Sequence, residues 1–277
     1  MNNFVVRALT GVVFVALILA AILWNPVLFA AVFGAISALA IWEFCSLVNQ
    51  KEGVHVNRFI CTVGGVYLFF AFFGYSINYQ GASIFIPYLI IMLYLLTSEL
   101  YLKRDSPMNN WAYAMLSQLY VALPFALLNT LAFQFSLTNA AVTFAPLYPL
   151  SLFLFLWASD TGAYCSGMLF GKHRLFPRVS PKKSWEGSIG GGILAIIVSA
   201  VICYFVKTSY LEWAGYALVV VVFGTWGDLV ESLLKRELGI KDSGHILPGH
   251  GGILDRMDSS LLAIPASIIY LYTLGIL

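Results

Sequence analysis

The chain has 277 residues, of which 60% are hydrophobic and only 10% charged, and its mean hydropathy is +0.86. Soluble globular domains carry about 25% charged residues, so these values exclude a soluble domain and indicate an integral membrane protein. A formal net charge of +2 singles out no class of soluble partner, and no nucleic-acid partner is expected.

In chain order, apolar segments fall at 5–24, 27–48, 59–77, 83–102, 111–133, 145–170, 187–206, 212–234 and 259–277. Runs of about 20 residues suit transmembrane helices, whereas the strands of an outer-membrane barrel run about 10 residues with alternating polarity. The prediction is an all-α, polytopic membrane bundle of about nine transmembrane helices. Residues 1–140 supply amino-terminal helices and residues 141–277 a catalytic transmembrane region, in one membrane unit without a soluble domain. Arg7 precedes the first run as a charged residue precedes a secretory leader. That run exceeds the usual length of about 7–15 residues and lacks a small-x-small cleavage site, so it is read as a span.

Lys and Arg concentrate in the cytoplasmic loops of membrane proteins. Fourteen of the 15 positive residues agree with an amino terminus in the cytoplasm and a carboxyl terminus outside; Lys207 is the exception. Cys45, Cys61, Cys165 and Cys203 are scattered in or beside apolar runs, without metal or redox spacing, and read as small hydrophobes. Glu43 and Glu99 sit near predicted cytoplasmic ends and read as interface residues within reach of water.

Charge is distributed unevenly. Ten of the 28 Asp, Glu, Lys and Arg residues lie between Asp228 and Asp258, and six more between Lys172 and Glu186. The positive-inside count places both stretches at the cytoplasmic face. Asp228 and Glu231 share a helical face by their spacing of three, which Ser232 and Lys235 extend by a turn. Glu231 is equally well explained as the partner of Lys235 four residues on, but that leaves Asp228 unaccounted for. Asp255 and Asp258 repeat the spacing, with Arg256 between them. Capping of a helix amino terminus explains one of these two acids, not both. Carboxylates converging near water suit a hard cation: Mg²⁺ prefers oxygen ligands and commonly takes one or two carboxylates plus substrate phosphates.

Between the pairs, the Gly- and Pro-rich run from Lys241 to Gly252 predicts a compact loop. Gly249, Gly251 and Gly252 permit close backbone approach to a ligand. His245 and His250 lack a Cys or third His to complete a metal set, and read as hydrogen-bonding or loop-ordering residues. Earlier, Ser180-Pro-Lys-Lys-Ser-Trp-Glu-Gly187 places Lys182, Lys183 and Ser184 before a helix predicted to begin at Gly190 to Gly192, a combination suited to phosphate. Lys172, Arg174 and Arg178 fit an ordinary cytoplasmic loop equally well. Asp160, in Asp160-Thr-Gly-Ala-Tyr164, adds an acid inside the membrane beside glycines that allow close helix packing. The two regions together ask for a phosphate-rich, cation-bound ligand approached from the cytoplasm. No Walker-type Gly-x-x-x-x-Gly-Lys-Ser/Thr loop is present.

Ser232-x-Leu-Lys-Arg, four residues, Lys241-Asp-Ser-Gly, then Leu247-Pro-x-His-Gly-Gly-Ile-x-Asp-Arg-Met-Asp258 resembles the complete signature of the phosphatidate cytidylyltransferases, also called CDP-diacylglycerol synthases. The motifs beginning at Asp160 and Ser180 are also similar to that family's. The resemblance implies transfer of CMP from CTP to phosphatidic acid, giving CDP-diacylglycerol and pyrophosphate with Mg²⁺. It implies a multi-pass enzyme of the bacterial cytoplasmic membrane with its active site at the cytoplasmic face, and a homodimer. Asp228 and Asp255 are implied as the cation ligands, with a second, monovalent cation such as K⁺ beside the first. Asp258, Lys241, Asp242 and Arg256 are expected to be catalytic. Asp160, Lys182, Lys183, Ser184, Ser232, Lys235, Arg236, His250, Gly251 and Gly252 are expected to bind substrate. The competing readings are a CTP-dependent lipid-alcohol kinase, which would release CDP, and a cation-coupled transporter. The polar groups gather at one membrane face, not at the midplane, which weighs against the transporter.

Overall fold

The computed structural model describes residues 3–78, 81–136, 141–240, 243–244 and 251–277. The elements run α1 (Asn3–Leu23), α2 (Pro26–Val48), α3 (Arg58–Ser76), α4 (Ile86–Leu102), α5 (Pro107–Leu116), α6 (Leu123–Ala132), β1 (Phe133–Ser136), β2 (Ala141–Phe144), α7 (Leu147–Phe170), β3 (Arg174–Phe176), β4 (Ser180–Ser184), α8 (Trp185–Val206), α9 (Tyr210–Glu237) and α10 (Leu254–Thr273). A short 3₁₀ turn precedes α4. A π-helical turn at Ser117–Ala122 joins α5 to α6 just ahead of Pro124, whose missing N–H cannot bond back into an α-helical ladder.

Each apolar segment of the sequence is helical over most of its length. Among the described residues, six helical stretches are long and apolar enough to cross a membrane by length and composition: Pro26–Val48, Arg58–Ser76, Ala82–Leu102, Pro107–Ala132, Trp185–Val206 and Tyr210–Glu237. Along α8, Ile189, Ile193, Ile197 and Phe205 are each more than half exposed. Such a contiguous apolar face is costly in water and suits lipid.

By backbone contact the chain forms two compact units, Met1–Pro146 with Leu238–Met257 and Leu147–Glu237 with Asp258–Leu277. The first has a core of Phe29, Phe33, Phe44, Phe69, Phe125 and Leu128, all fully buried. Phe29 meets Phe133 edge-on at a centroid distance of 6.4 Å, so the β1–β2 hairpin packs on α2. This unit also corrects the reading of its two membrane acids, because Glu43 is 5% and Glu99 9% exposed. Glu99 accepts from Arg104 and from the Asn110 amide, each at 2.9 Å. Asn110 Oδ1 accepts the His55 backbone N–H at 2.7 Å, and Arg104 donates to the His55 carbonyl. A buried carboxylate survives by finding such partners.

In the second unit, α7 and α8 pack at backbone distance. A Cβ on Gly162 would lie 2.9 Å from the Gly190 carbonyl oxygen, and one on Gly191 would lie 2.5 Å from that of Ser159. Glycine is required there because of that proximity. At one end, Tyr148 stacks on Trp213 at 5.5 Å, and the Tyr216 hydroxyl donates to the Tyr148 carbonyl at 3.0 Å.

Two features were not foreseen. Both hairpins, β1–β2 and β3–β4, are antiparallel pairs in a chain expected to be wholly helical. Helix α8 begins at Trp185, five residues before the glycines. Ser184 is its N-cap and accepts the Gly187 N–H at 3.1 Å. Glu186 stands in its first turn, where an acid complements the helix dipole.

Candidate active site

In the second unit, a cavity of about 230 Å³ is lined by Ser159, Asp160 and Tyr164 of α7, Lys182, Lys183 and Ser184 of β4, Gly187 of α8, Thr225 of α9 and Ser259 of α10. The β3–β4 hairpin carries the two lysines to it. Its base is tied down by Glu186, whose carboxylate accepts the backbone N–H groups of Lys172 and His173 at 3.2 Å and pairs with His173 Nδ1 at 2.5 Å. Gly187 and Gly167 let α7 and α8 approach behind the cavity: a Cβ on Gly187 would lie 3.0 Å from the Ala163 carbonyl oxygen.

The sequence-predicted residues Asp160, Lys182, Lys183 and Ser184 thus share one cavity. Beside it, Lys183 Nζ lies 2.5 Å from Asp228 Oδ2, and the Ser232 hydroxyl donates to Asp228 Oδ1 at 3.1 Å. Asp228, Glu231 and Asp258 each offer an oxygen within 4.8 Å of the others. Close approach of α9 and α10 makes this grouping: a Cβ on Gly227 would lie 2.5 Å from the Asp258 carbonyl oxygen. Asp258 Oδ1 also accepts its neighbour's backbone N–H, that of Ser259, at 2.6 Å.

Lys235 pairs with the fully buried Glu231 at 2.6 Å, so the predicted i, i+4 bridge is present and the same acid also belongs to the cluster. Arg236 is exposed, and its Nε donates to the Val179 carbonyl at 3.5 Å. Three carboxylates this close repel strongly in a medium of low dielectric constant. Two lysines offset part of that charge, and an all-oxygen donor set is what Mg²⁺ favours. The residues present therefore fit a divalent cation.

Asp255 belongs to the first unit. Its Oδ2 accepts the N–H groups of Ser243 and Gly252, both at 2.9 Å, and its own N–H donates to Ser243 Oγ at 3.3 Å. Gly251 has φ +84°, the left-handed region that favours glycine. Arg256 is exposed on the first turn of α10. Lys241, Asp242, His245, Gly249 and His250 lie outside the described residues. Glu43 is the residue that sequence reasoning missed here. It accepts the Leu254 N–H at 2.9 Å, and an acid in an apolar run was the only signal available.

Long apolar helices with exposed apolar faces, together with a cavity lined by two lysines, an acid and hydroxyl groups, define a multi-pass membrane protein with a polar site. The chain belongs to the cytidylyltransferase family, whose model matches residues 5–274, and it is a nucleotidyltransferase. It is 34% identical over 276 residues to a phosphatidate cytidylyltransferase of Haemophilus influenzae, covering 94% of this chain and 95% of that one. A phosphatidate cytidylyltransferase of Staphylococcus haemolyticus is 34% identical over 268 residues, covering 94% and 96%. One from Staphylococcus aureus is 51% identical over 120 residues, 43% of this chain and 46% of that one.

Proposed function

We propose that the protein transfers CMP from CTP to phosphatidic acid, giving CDP-diacylglycerol and pyrophosphate. The observation that carries this reading is the ion pair of Lys183 with Asp228 at a cavity also lined by Asp160, Lys182 and Ser184. The names of the relatives support it.

The nucleophile is a phosphate oxygen of the lipid, which is largely ionised near neutral pH because the second pKa of such monoesters is about 6. No strong general base is needed. That oxygen forms a bond to the α-phosphorus of CTP while the bond from this phosphorus to the bridging oxygen breaks, and the electron pair leaves with pyrophosphate. The protein must offset repulsion between two anions and hold them in line. Lys182 and Lys183, with Lys235, Arg236 and Arg256, are assigned to the phosphates as a group. Ser184 caps α8, whose early residues Gly187 and Ser188 line the cavity, and a helix amino terminus is a favourable end for phosphate.

Asp228, with Asp258 and Glu231 beside it, would hold Mg²⁺, which when bound supplies charge neutralisation at the reacting and leaving phosphoryl oxygens. Asp255 is retained as the other cation ligand that the signature implies. Lys241, Asp242 and His250 keep their proposed roles on the signature alone, as do a monovalent cation and a homodimer.

The reading includes nine crossings, an amino terminus in the cytoplasm and a site at the cytoplasmic face of the bacterial inner membrane, supported by the distribution of Lys and Arg. Its test is product analysis. Cytidylylated lipid and pyrophosphate support it, whereas CDP with a newly phosphorylated lipid would mean a kinase.

A further inference from the structure

Glu43 takes no part in the chemistry above. It stands in α2, 5% exposed, and its Oε2 accepts the N–H of Leu254 at 2.9 Å, across 211 residues of sequence. Leu254 is the first residue of α10, so this N–H is one that a helix cannot satisfy within itself. The other oxygen, Oε1, makes no hydrogen bond among the described residues. It rests against backbone. A Cβ on Gly252 would lie 2.6 and 2.7 Å from the two Glu43 oxygens, and one on Gly244 would also collide with Oε1.

The same backbone fixes Asp255. Ser243 and Gly252 donate their N–H groups to Asp255 Oδ2, and Asp255 N–H returns a bond to Ser243 Oγ. Glu43 therefore touches Gly244 and Gly252, while Gly252 and Ser243, the neighbour of Gly244, hold Asp255. An acid at this depth is costly unless it has a task, and a plain apolar residue would fill the space without that cost. A carboxyl oxygen at the start of α10 satisfies an N–H that the helix itself leaves open, as an N-cap side chain does.

We propose that Glu43 is a positioning residue for the reaction. From α2 it caps the amino terminus of α10 and, with Gly244 and Gly252 shaped around it, sets the backbone that holds Asp255. The proposal rests on the assignment of Asp255 to the catalytic machinery. It gives the first-half helices a defined share in the chemistry, one that the signature itself does not mention.

The test compares Glu43→Ala and Glu43→Gln in the full-length, membrane-inserted protein, reading amide hydrogen exchange and steady-state kinetics with CTP, phosphatidate and Mg²⁺. In Glu43→Ala, exchange at Gly252, Leu254 and Asp255 accelerates about tenfold or more. There kcat falls about tenfold or more while KM for CTP stays within about threefold, as misplacement of a catalytic group requires. Glu43→Gln keeps an acceptor for Leu254, so its exchange and kcat both stay within about threefold of wild type.

If Glu43→Ala fails to insert, Glu43→Met, of similar size but without an acceptor, supplies the comparison with Gln. Unchanged exchange at those amides in Glu43→Ala or Glu43→Met overturns the proposal, and so does loosened exchange with kcat within about twofold of wild type. A wild-type protein that does not turn over CTP and phosphatidate would instead count against the proposed activity, leaving the exchange arm to decide the capping role.

Discussion

Lys183 of the β3–β4 hairpin and Asp228 of α9 form an ion pair of 2.5 Å in which both side chains stay about 30% exposed. Partly exposed pairs of this kind stabilise by about 1 kcal/mol or less, too little to explain why a hairpin should carry a lysine to that point. A role toward phosphate accounts for it. Lys183→Met is therefore expected to shift thermal unfolding by no more than about 2–4 °C while lowering turnover about a hundredfold or more. The two are read by a melting curve and a turnover assay on the same preparation. A melting loss large enough to account for the lost activity would make the pair structural.

The grouped acids Asp228, Glu231 and Asp258 repel one another when no cation is present. Asp228→Asn relieves that repulsion, so the variant in chelator is expected to unfold at or above the wild-type temperature. Added Mg²⁺ should then raise the melting temperature of wild type, because a ligand at a hundred times its Kd stabilises by about 2.7 kcal/mol, and leave Asp228→Asn unmoved. The measurement is a melting series against Mg²⁺ concentration for both proteins. An equal Mg²⁺ response in both would place the cation elsewhere.

Gly191 lies where α7 and α8 touch, and a Cβ there would stand 2.5 Å from the Ser159 carbonyl oxygen. Backbone cannot yield as a flexible side chain can. Gly191→Ala is expected to destabilise by about 1–3 kcal/mol and to lower turnover as well, since Ser159 and Gly187 on these helices line the cavity. Gly192→Ala is the control. A Cβ there meets only a Val221 methyl at 3.9 Å, an ordinary van der Waals distance, and should change neither quantity. Chemical denaturation of the two variants in detergent checks the difference.

Glu99 holds Arg104 and Asn110 in the first unit. Glu99→Ala removes one acceptor from Arg104, which keeps the His55 carbonyl, and takes the acceptor from the buried Asn110 side-chain amide; losing such bonds costs about 1–3 kcal/mol. The expected result is a less stable protein whose surviving folded fraction has a wild-type KM for CTP. A raised KM at full folding would instead connect Glu99 to substrate.

How far the sequence discloses this site depends on how local each interaction is. The apolar segments are legible because spans of about 20 residues have few alternatives. Lys182 to Ser184 and Asp228 to Lys235 stand out in the sequence as clusters of charge between apolar runs, and the Glu231–Lys235 bridge follows from helical spacing alone, whereas the pairing of Lys183 with Asp228 does not. The early start of α8 was also within reach, since Ser184 followed by Glu186 is an amino-terminal helix signal, but the glycines at 190–192 drew attention past it. Glu43 and Glu99 were misread as water-facing. Their partners lie 211 residues away at Leu254 and 11 at Asn110, and no periodicity reports such contacts. The β3–β4 pair was missed because Arg174 to Ser184 mixes lysine, arginine and proline without the polar–apolar alternation of a half-buried strand.

The most direct measurement is to supply the purified, membrane-inserted protein with CTP labelled at the α-phosphorus, phosphatidic acid and Mg²⁺, and to follow the label. The proposed reaction predicts that label enters the lipid as CDP-diacylglycerol, with one pyrophosphate released per lipid and none without Mg²⁺. Label recovered as CDP while the lipid gains an unlabelled phosphate, or no transfer by folded protein, would contradict it.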